Sequence, residues 1–222
     1  MRASHLRAAA LDTILRPMSE LVPLSQHYVA HGGAPILTAV DPGIFTRRYF
    51  ARCMACGFCA DSCCAHGVDV DGRVEAALLA DSDAIAQHTG VPADQWFRAP
   101  PVRDVEAPGG TMRRTAVRDG YCVFHTPGGR GCMLHSYALA RGLDYHTVKP
   151  MVSTLFPVTF GAGALVVSDE LDDGSLVCSG EGPTAYEAAR DELAYYFGDS
   201  LVIELDSLAS GSTASTPASS DA

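Results

Sequence analysis

The chain has 222 residues, of which 47% are hydrophobic and 19% charged, enough to bury a core as one domain. Its 16 basic and 26 acidic residues give a formal net charge of -10, which argues against a nucleic-acid partner. No apolar run approaches the roughly 18 residues that a membrane-spanning helix needs, and Asp12 interrupts the region where a signal peptide would be apolar. We therefore expect a cytoplasmic protein with no membrane partner.

Residues 1–40 are predicted to form an N-terminal helical segment. Leu6, Ala10 and Ile14 follow helical spacing, and Pro17 limits the length of the helix. This segment should dock on the body of the protein.

A cysteine-cluster domain is expected over residues 41–204. After the cysteine cluster, its first long element is a predicted helix from Gly72 to Gly90, where Gly90 is the C-terminal stop. Residues 91–120 are rich in Pro, Gly, Arg and Asp, so we expect a loop with one extended piece.

The next elements surround a short turn. Residues 121–125 read as a short strand, and Cys132 begins a helix that continues to Arg141 and is ended by Gly142. Cys122 and Cys132 therefore flank a hairpin-like excursion.

A small antiparallel meander is predicted next, with strands over residues 156–160, 164–168 and 176–178. Thr184 and Glu187 have the spacing of a capping box and open a helix that stops at Gly198. The fold class is therefore α+β, a small metal-stapled domain with helices around a short meander and irregular loops.

The C-terminal residues 205–222 are expected to be a mostly disordered tail. From Ala209 onward they are only Ser, Thr, Ala, Gly, Pro and Asp, which cannot bury enough apolar surface to order the chain.

The cysteines are the most informative feature of the sequence. Five of the eight fall within twelve residues and the others are spread downstream: Cys53, Cys56, Cys59, Cys63 and Cys64, then Cys122, Cys132 and Cys178. Thiolates this crowded repel one another and oxidise readily unless a cation holds them. The density therefore indicates zinc or an iron–sulfur cluster.

The spacing fits more than one metal. The run from Cys53 to Cys63 has the spacing of a bacterial ferredoxin run that holds a [4Fe-4S] cluster, but Cys64 stands where the usual proline would be. Zinc needs four ligands, which the cysteines with His66, His125 and His135 could supply, Cys132 and His135 being one candidate pair. Soft thiolates suit both metals, so the spacing leaves the choice open.

Three readings without a metal compete. Disulfides are rare in the cytosol, and the sequence around the Cys-x2-Cys pairs does not read as the βαβ unit of a thioredoxin-like protein. The third alternative is that the cysteines are small core residues. If the segment is a helix with about 100° per residue, the five clustered cysteines fall within an arc of about 140° around its axis, as residues of a buried helix face would. Gly57, Asp61 and Ser62 argue against such a helix, because they are poor residues for a helix interior.

Residues 56–64, Cys-Gly-Phe-Cys-Ala-Asp-Ser-Cys-Cys, resemble the YkgJ-like cysteine-cluster family, whose signature is Cys-x2-Cys-x3-Cys-Cys and which is described as a zinc- or iron-chelating domain. A downstream block extends the resemblance over roughly residues 45–180: Cys122-Val-Phe-His, Gly131-Cys-Met-Leu-His, Ala138-Leu-Ala-Arg-Gly and Lys149-Pro. Two departures are Ser153, where the family often has a cysteine, and the additional Cys53.

The resemblance implies chelation of zinc or of an iron–sulfur cluster. One branch of the family is similar to flagellin lysine methylases, so the alternatives are an iron–sulfur enzyme that modifies protein side chains and an interaction module with a structural zinc. A protein substrate or partner is compatible with either, and no residue can be assigned a catalytic role.

The predicted metal pocket combines cysteines from both parts of the domain. Its members are Cys56, Cys59, Cys63, Cys64, Cys122 and Cys132, with Cys53 and Cys178 completing or flanking it. Because ligation deprotonates thiols, the metal affinity should fall as the pH drops, and a chelator should loosen residues 50–135.

Overall fold

The protein has an α+β fold, as predicted. The computed structural model describes residues 21–50 and 61–212. Seven α-helices and eleven strands in four small sheets are found in this part of the chain. None of the helices in these two ranges is long and apolar enough to cross a membrane.

The strands are short and distributed along the chain. They are β1 (Val22–Val29), β2 (Ile36–Val40), β3 (Arg48–Tyr49), β4 (Asp69–Asp71), β5 (Val102–Arg103), β6 (Thr111–Arg114), β7 (Val117–Arg118), β8 (Tyr121–Cys122), β9 (Val158–Gly161), β10 (Ala164–Val167) and β11 (Ser179–Thr184).

The helices alternate with these strands. They are α1 (Gly72–Ala80), α2 (Ser82–Thr89), α3 (Met133–Arg141), α4 (Met151–Leu155), α5 (Asp169–Asp172), α6 (Ala185–Phe197) and α7 (Asp199–Ser212). Short 3-10 turns connect several of them.

The largest sheet has four strands in the order β1-β2-β10-β9. β1 and β2 form an antiparallel pair, and so do β9 and β10. The two pairs join through a parallel contact in which Ala39 lies opposite Ala164 and Val40 opposite Leu165. The sheet therefore unites two distant parts of the chain.

The other sheets contain two or three strands: β11-β3, β4-β6-β5 and β7-β8, all antiparallel. β3 ends immediately before residues 51–60, and β4 begins soon after them. The cysteine-rich segment thus connects two different sheets.

Two clusters of buried side chains form the interior. The first core includes Leu37, Leu165 and Leu193, from β2, β10 and α6. The second core includes Leu78 from α1 and Tyr137 from α3. Burying such side chains removes apolar surface from water, which is the main stabilising term of the fold.

Local sequence signals place several helix ends where they were predicted. α3 ends at Gly142, whose left-handed φ of 65° lets its N–H donate to carbonyls of the last turn. Thr184 and Glu187 form both hydrogen bonds of a capping box at the start of α6. These two predictions are confirmed.

The predicted N-terminal helical segment is wrong for residues 22–40. This part forms β1 and β2. The helical spacing at Leu6 to Ile14 lies outside the described residues. Leu37 and Val40 are fully buried in the first core, because β2 is an interior strand of the sheet.

The predicted tail is also wrong for residues 205–212, which continue α7 to Ser212. Leu201 and Leu205 are fully buried in the first core, and this packing stabilises the helix. Residues 213–222 lie outside the described part of the chain.

Two predicted elements have different forms. The helix predicted over 72–90 is divided at Asp81 into α1 and α2, although Gly90 is the left-handed C-cap as expected. The β9–β10 hairpin of the meander is confirmed, but residues 176–178 form no strand and α5 lies between β10 and β11. Residues 91–120, expected to be mostly loop, contain β5, β6 and β7.

Candidate metal centre

The structure describes five of the eight predicted metal ligands. Cys53, Cys56 and Cys59 lie outside the described residues. Cys63 and Cys64 belong to a 3-10 turn over Ser62–Cys64, with Cys63 exposed and Cys64 partly buried.

Cys122 and Cys132 lie at the two ends of one excursion of the chain. Cys122 ends β8 and is buried, while Cys132 is the N-cap of α3. The ends are held together because the N–H of Met133 donates to the carbonyl of Phe124 at 2.7 Å, and His125 forms a β-bridge with Cys132. The sequence prediction of a hairpin-like excursion flanked by these cysteines is confirmed.

The four cysteines influence one another electrostatically. The hydrogen bond with Cys63 raises the pKa of Cys64 far above its usual range, and burial and the neighbouring thiols of Cys132 and Cys122 add to this effect. Burial likewise raises the pKa of Cys122, whose sulfur lies 3.3 Å from the Thr115 hydroxyl. Two segments that are distant in sequence therefore bring their thiols to one region.

The adjacent pair shares a proton. The Cys64 thiol donates to the Cys63 sulfur, and this hydrogen bond lowers the pKa of Cys63 against the opposing effects of burial and of the charge on Asp61. Loss of the proton from Cys63 is therefore favoured over loss of the proton from Cys64. A bound cation would favour loss of both protons, because metal ligands are thiolates.

Asp61 fastens the cysteine turn to the excursion between Cys122 and Cys132. Its carboxylate accepts from Arg130 Nε at 2.6 Å, from the backbone N–H of Gly131 at 2.8 Å and from His125 Nε2 at 3.0 Å. The side chain is only 8% exposed. We call these contacts the Asp61 latch.

The charge of Asp61 is stabilised by this surrounding. Burial acts to raise the pKa of the carboxyl, but the hydrogen bonds from Arg130, Gly131 and His125 outweigh it and the pKa is lowered. The backbone at Asp61 is left-handed, with φ of 55° and ψ of 39°, a conformation that Asp tolerates better than most residues. Asp61 thus changes the direction of the backbone and also bonds the turn to Arg130, Gly131 and His125.

A further polar atom in the same turn has no partner. The Ser62 hydroxyl is buried, and no atom of residues 21–50 or 61–212 makes a hydrogen bond with it. Buried hydroxyls are rarely left unsatisfied. The orphaned oxygen beside Cys63 and Cys64 is consistent with a group that binds at this turn.

Two of the histidines considered as ligands, His66 and His135, have different surroundings. His66 is exposed, and its carbonyl accepts from Arg114 at 3.0 Å. The ring of His135 lies tilted by 42° against that of Tyr145, with the centroids 4.7 Å apart, and burial together with the charge of Lys149 lowers the pKa of its imidazole. Its Nδ1 is buried and makes no hydrogen bond with any atom of residues 21–50 or 61–212, so the pairing of Cys132 with His135 stays a prediction.

Cys178 is buried in the first core, whereas Cys122 belongs to the second. Its carbonyl accepts from the N–H of Phe50 at 3.0 Å. Phe50 is the last described residue before the cysteine-rich segment. Cys178 therefore lies beside the start of that segment and, unlike Cys122, in the first core.

Within residues 21–50 and 61–212, no set of three His, Cys, Asp or Glu side chains is arranged to hold a metal ion. Cys63, Cys64, Cys122 and Cys132 form no disulfide. Their donor chemistry fits a soft metal, but a complete ligand set would need cysteines from residues 51–60.

Sequence reasoning missed the Asp61 latch. Asp61 was noted only as a poor helix residue, and neither Arg130 nor His125 was connected to it. The contacts join residues 64 to 70 positions apart in the chain, and no local pattern signals such a contact.

No model of a known protein family matches the chain, and no solved structure matches it. Its chemistry must therefore be argued from its own residues.

Proposed function

We propose that this protein binds a metal, either zinc or an iron–sulfur cluster, through its cysteine cluster. The observation that carries the proposal is the mutual influence of Cys63 and Cys64 with Cys122 and Cys132, which come from two separate segments. Packing alone gives no reason to gather four thiols in one region.

The remaining ligands would come from the adjoining residues. Cys59 is two residues before Asp61, and Cys53 and Cys56 precede it at spacings of three. These residues add to the thiols of Cys63, Cys64, Cys122 and Cys132. Together they offer more sulfur donors than one tetrahedral zinc needs and enough for a [4Fe-4S] cluster.

The Asp61 latch supports this site. It fixes the turn that carries Cys63 and Cys64 against the ends of the excursion that carries Cys122 and Cys132. Preorganised ligands bind a metal more tightly, because less ordering is required on binding.

The test is elemental analysis with a visible absorption spectrum on protein purified without air. We expect at least one zinc per chain without colour, or iron with labile sulfide and a brown colour. Iron with sulfide would direct attention to the enzymatic alternative, and colourless zinc to a structural or chelating role.

Variants identify the ligands. Cys64→Ser and Cys132→Ser should each lower the metal content, because each removes a sulfur donor. His88→Asn is the control, which removes a nitrogen donor from a side chain whose Nε2 lies 2.9 Å from the Ser136 hydroxyl instead. Unchanged metal content in both serine variants, or the absence of stoichiometric metal from the air-free protein, would overturn the proposal.

A further inference from the structure

A second candidate site lies away from the cysteines, in a cavity of about 270 Å³. It is bounded by the start of α1, the turn after β1 and the end of α6. At roughly 30 Å³ per water molecule, this volume holds about nine waters. The cavity opens to solvent beside the exposed side chains of His31 and Arg73.

Arg73 brings an uncompensated positive charge to this cavity. Its Nη1 donates to the carbonyl of His31 at 3.0 Å. No carboxylate of the described residues lies within 4.0 Å of the guanidinium. Arg47, Arg113, Arg114, Arg130 and Arg190, in contrast, each pair with a carboxylate. Most N–H donors of the Arg73 guanidinium are therefore available to a ligand.

Asp71 brings the opposite charge. Its side chain caps α1 by accepting from the N–H groups of Arg73 at 3.1 Å and Val74 at 3.0 Å, and it also accepts from the backbone N–H of Met151. The residue is only 4% exposed. No cation of the described part lies within ion-pair distance of it, not even the guanidinium two residues away. Burial raises the pKa of this carboxyl, which a neighbouring positive charge would reverse.

One side of the cavity is formed by two aromatic rings whose positions are held by stacking and hydrogen bonds. The rings of His146 and Tyr195 stack at 3.5 Å with an interplanar angle of 10°. His146 Nδ1 lies 2.5 Å from Asp144 Oδ1, and its Nε2 lies 2.7 Å from Glu192 Oε2. The ring is thus already paired with two carboxylates, which leaves Arg73 as the cation among the described residues that line the cavity.

The rest of the lining is mostly apolar. Val74, Ala77, Pro108 and Met151 contribute aliphatic surface, and Tyr196 adds a buried ring. Small-molecule sites commonly combine such a lining with a few charged groups that fix the orientation of the ligand.

We propose that this cavity binds a free α-amino acid with an apolar or aromatic side chain. The ligand carboxylate pairs with the Arg73 guanidinium, the ammonium group faces Asp71, and the side chain packs on Met151 and the tyrosine rings. Both charged groups of the protein are then neutralised at once.

Simpler ligands satisfy the site less well. A carboxylic acid without the amine leaves Asp71 without a cation and brings a negative charge close to it. An amine without the carboxylate leaves Arg73 uncompensated. Charge complementarity therefore favours a zwitterion over either fragment.

The test uses isothermal titration calorimetry on the full chain, with L-phenylalanine, 3-phenylpropanoate and phenethylamine as probes. These compounds share the ring and differ only in the charged groups. We expect L-phenylalanine to bind at least about tenfold more tightly than either fragment, since each lost pair is a charge-assisted hydrogen bond. Equal affinities, or no heat of binding with any probe at millimolar concentration, would overturn the proposal.

Variants assign the two charges. Arg73→Gln should weaken the binding of L-phenylalanine at least about tenfold. Arg98→Gln changes an exposed arginine outside the cavity and should leave the affinity unchanged. Asp71→Asn retains a capping oxygen. It should reduce the difference in affinity between L-phenylalanine and 3-phenylpropanoate. A full-affinity Arg73→Gln variant would refute the assignment. The comparison of ligands on the unmodified protein does not depend on how any variant folds.

Discussion

Replacing Asp61 by Asn tests the Asp61 latch most sharply. Asn is nearly the same size and tolerates the left-handed backbone at this position, so the change removes charge without adding backbone strain. The amide has one acceptor oxygen in place of two. It cannot accept from Arg130 on one side and from Gly131 and His125 on the other.

The expected cost follows from burial. Removing one partner of a buried, hydrogen-bonded ion pair costs about 3 to 5 kcal/mol. Arg130 is 25% exposed, so water compensates part of its loss. We therefore expect the free energy of unfolding to fall by about 2 to 3 kcal/mol. In a domain of this size, that loss lowers Tm by about 4 to 12 °C.

Thermal melting followed by circular dichroism measures this change, and hydrogen exchange locates it. Exchange should accelerate in the excursion between Cys122 and Cys132 and much less in α6. Asp206→Asn is the matched control, because Asp206 also accepts from an arginine but is 44% exposed, and its Tm should fall clearly less. If Asp61→Asn melts like the unmodified protein and shows the same exchange between Cys122 and Cys132, the latch is not a stabilising contact.

Two further predictions concern the C-terminal helices. Thr184→Ala removes the capping box with Glu187 and should cost about 1 kcal/mol, seen as a Tm lower by about 2 to 4 °C; an unchanged Tm would contradict this role. The hydrogen bonds from Arg190 and Tyr186 lower the pKa of Asp206 from 3.8 to about 2, so its stabilising effect is present above pH 3.8 and is lost as the pH falls through about 2. Urea unfolding of Asp206→Asn should therefore depend less on pH across this interval, and an identical dependence would refute the assignment.

The features that sequence predicted well depend on neighbouring residues. Gly142 ends α3 because glycine enters the left-handed region without steric cost, and this property is visible in the sequence. Thr184 and Glu187 form their capping box within a single turn. Neither prediction requires knowledge of what the helix packs against.

The features that were missed depend on distant partners. β2 is stabilised by pairing with β10, and Ala39 lies opposite Ala164. In α7 the apolar spacing of Leu201, Leu205 and Leu208 was available, but the low-complexity residues after it led to the prediction of a tail. Packing on the first core overrides that composition.

The candidate metal site was predictable in part. Local spacing singled out the cysteine cluster, and the structure brings Cys63 and Cys64 near Cys122 and Cys132. The position of Cys178 in the first core and the role of Asp61 could not be read from spacing. Both depend on how separate segments meet in the folded chain.

X-ray absorption spectroscopy at the metal edge, on protein purified without air, tests the central claim most directly. The account predicts a first coordination shell dominated by sulfur, at about 2.3 Å if the metal is zinc. A shell of only oxygen and nitrogen, or protein that contains no stoichiometric metal, would contradict it.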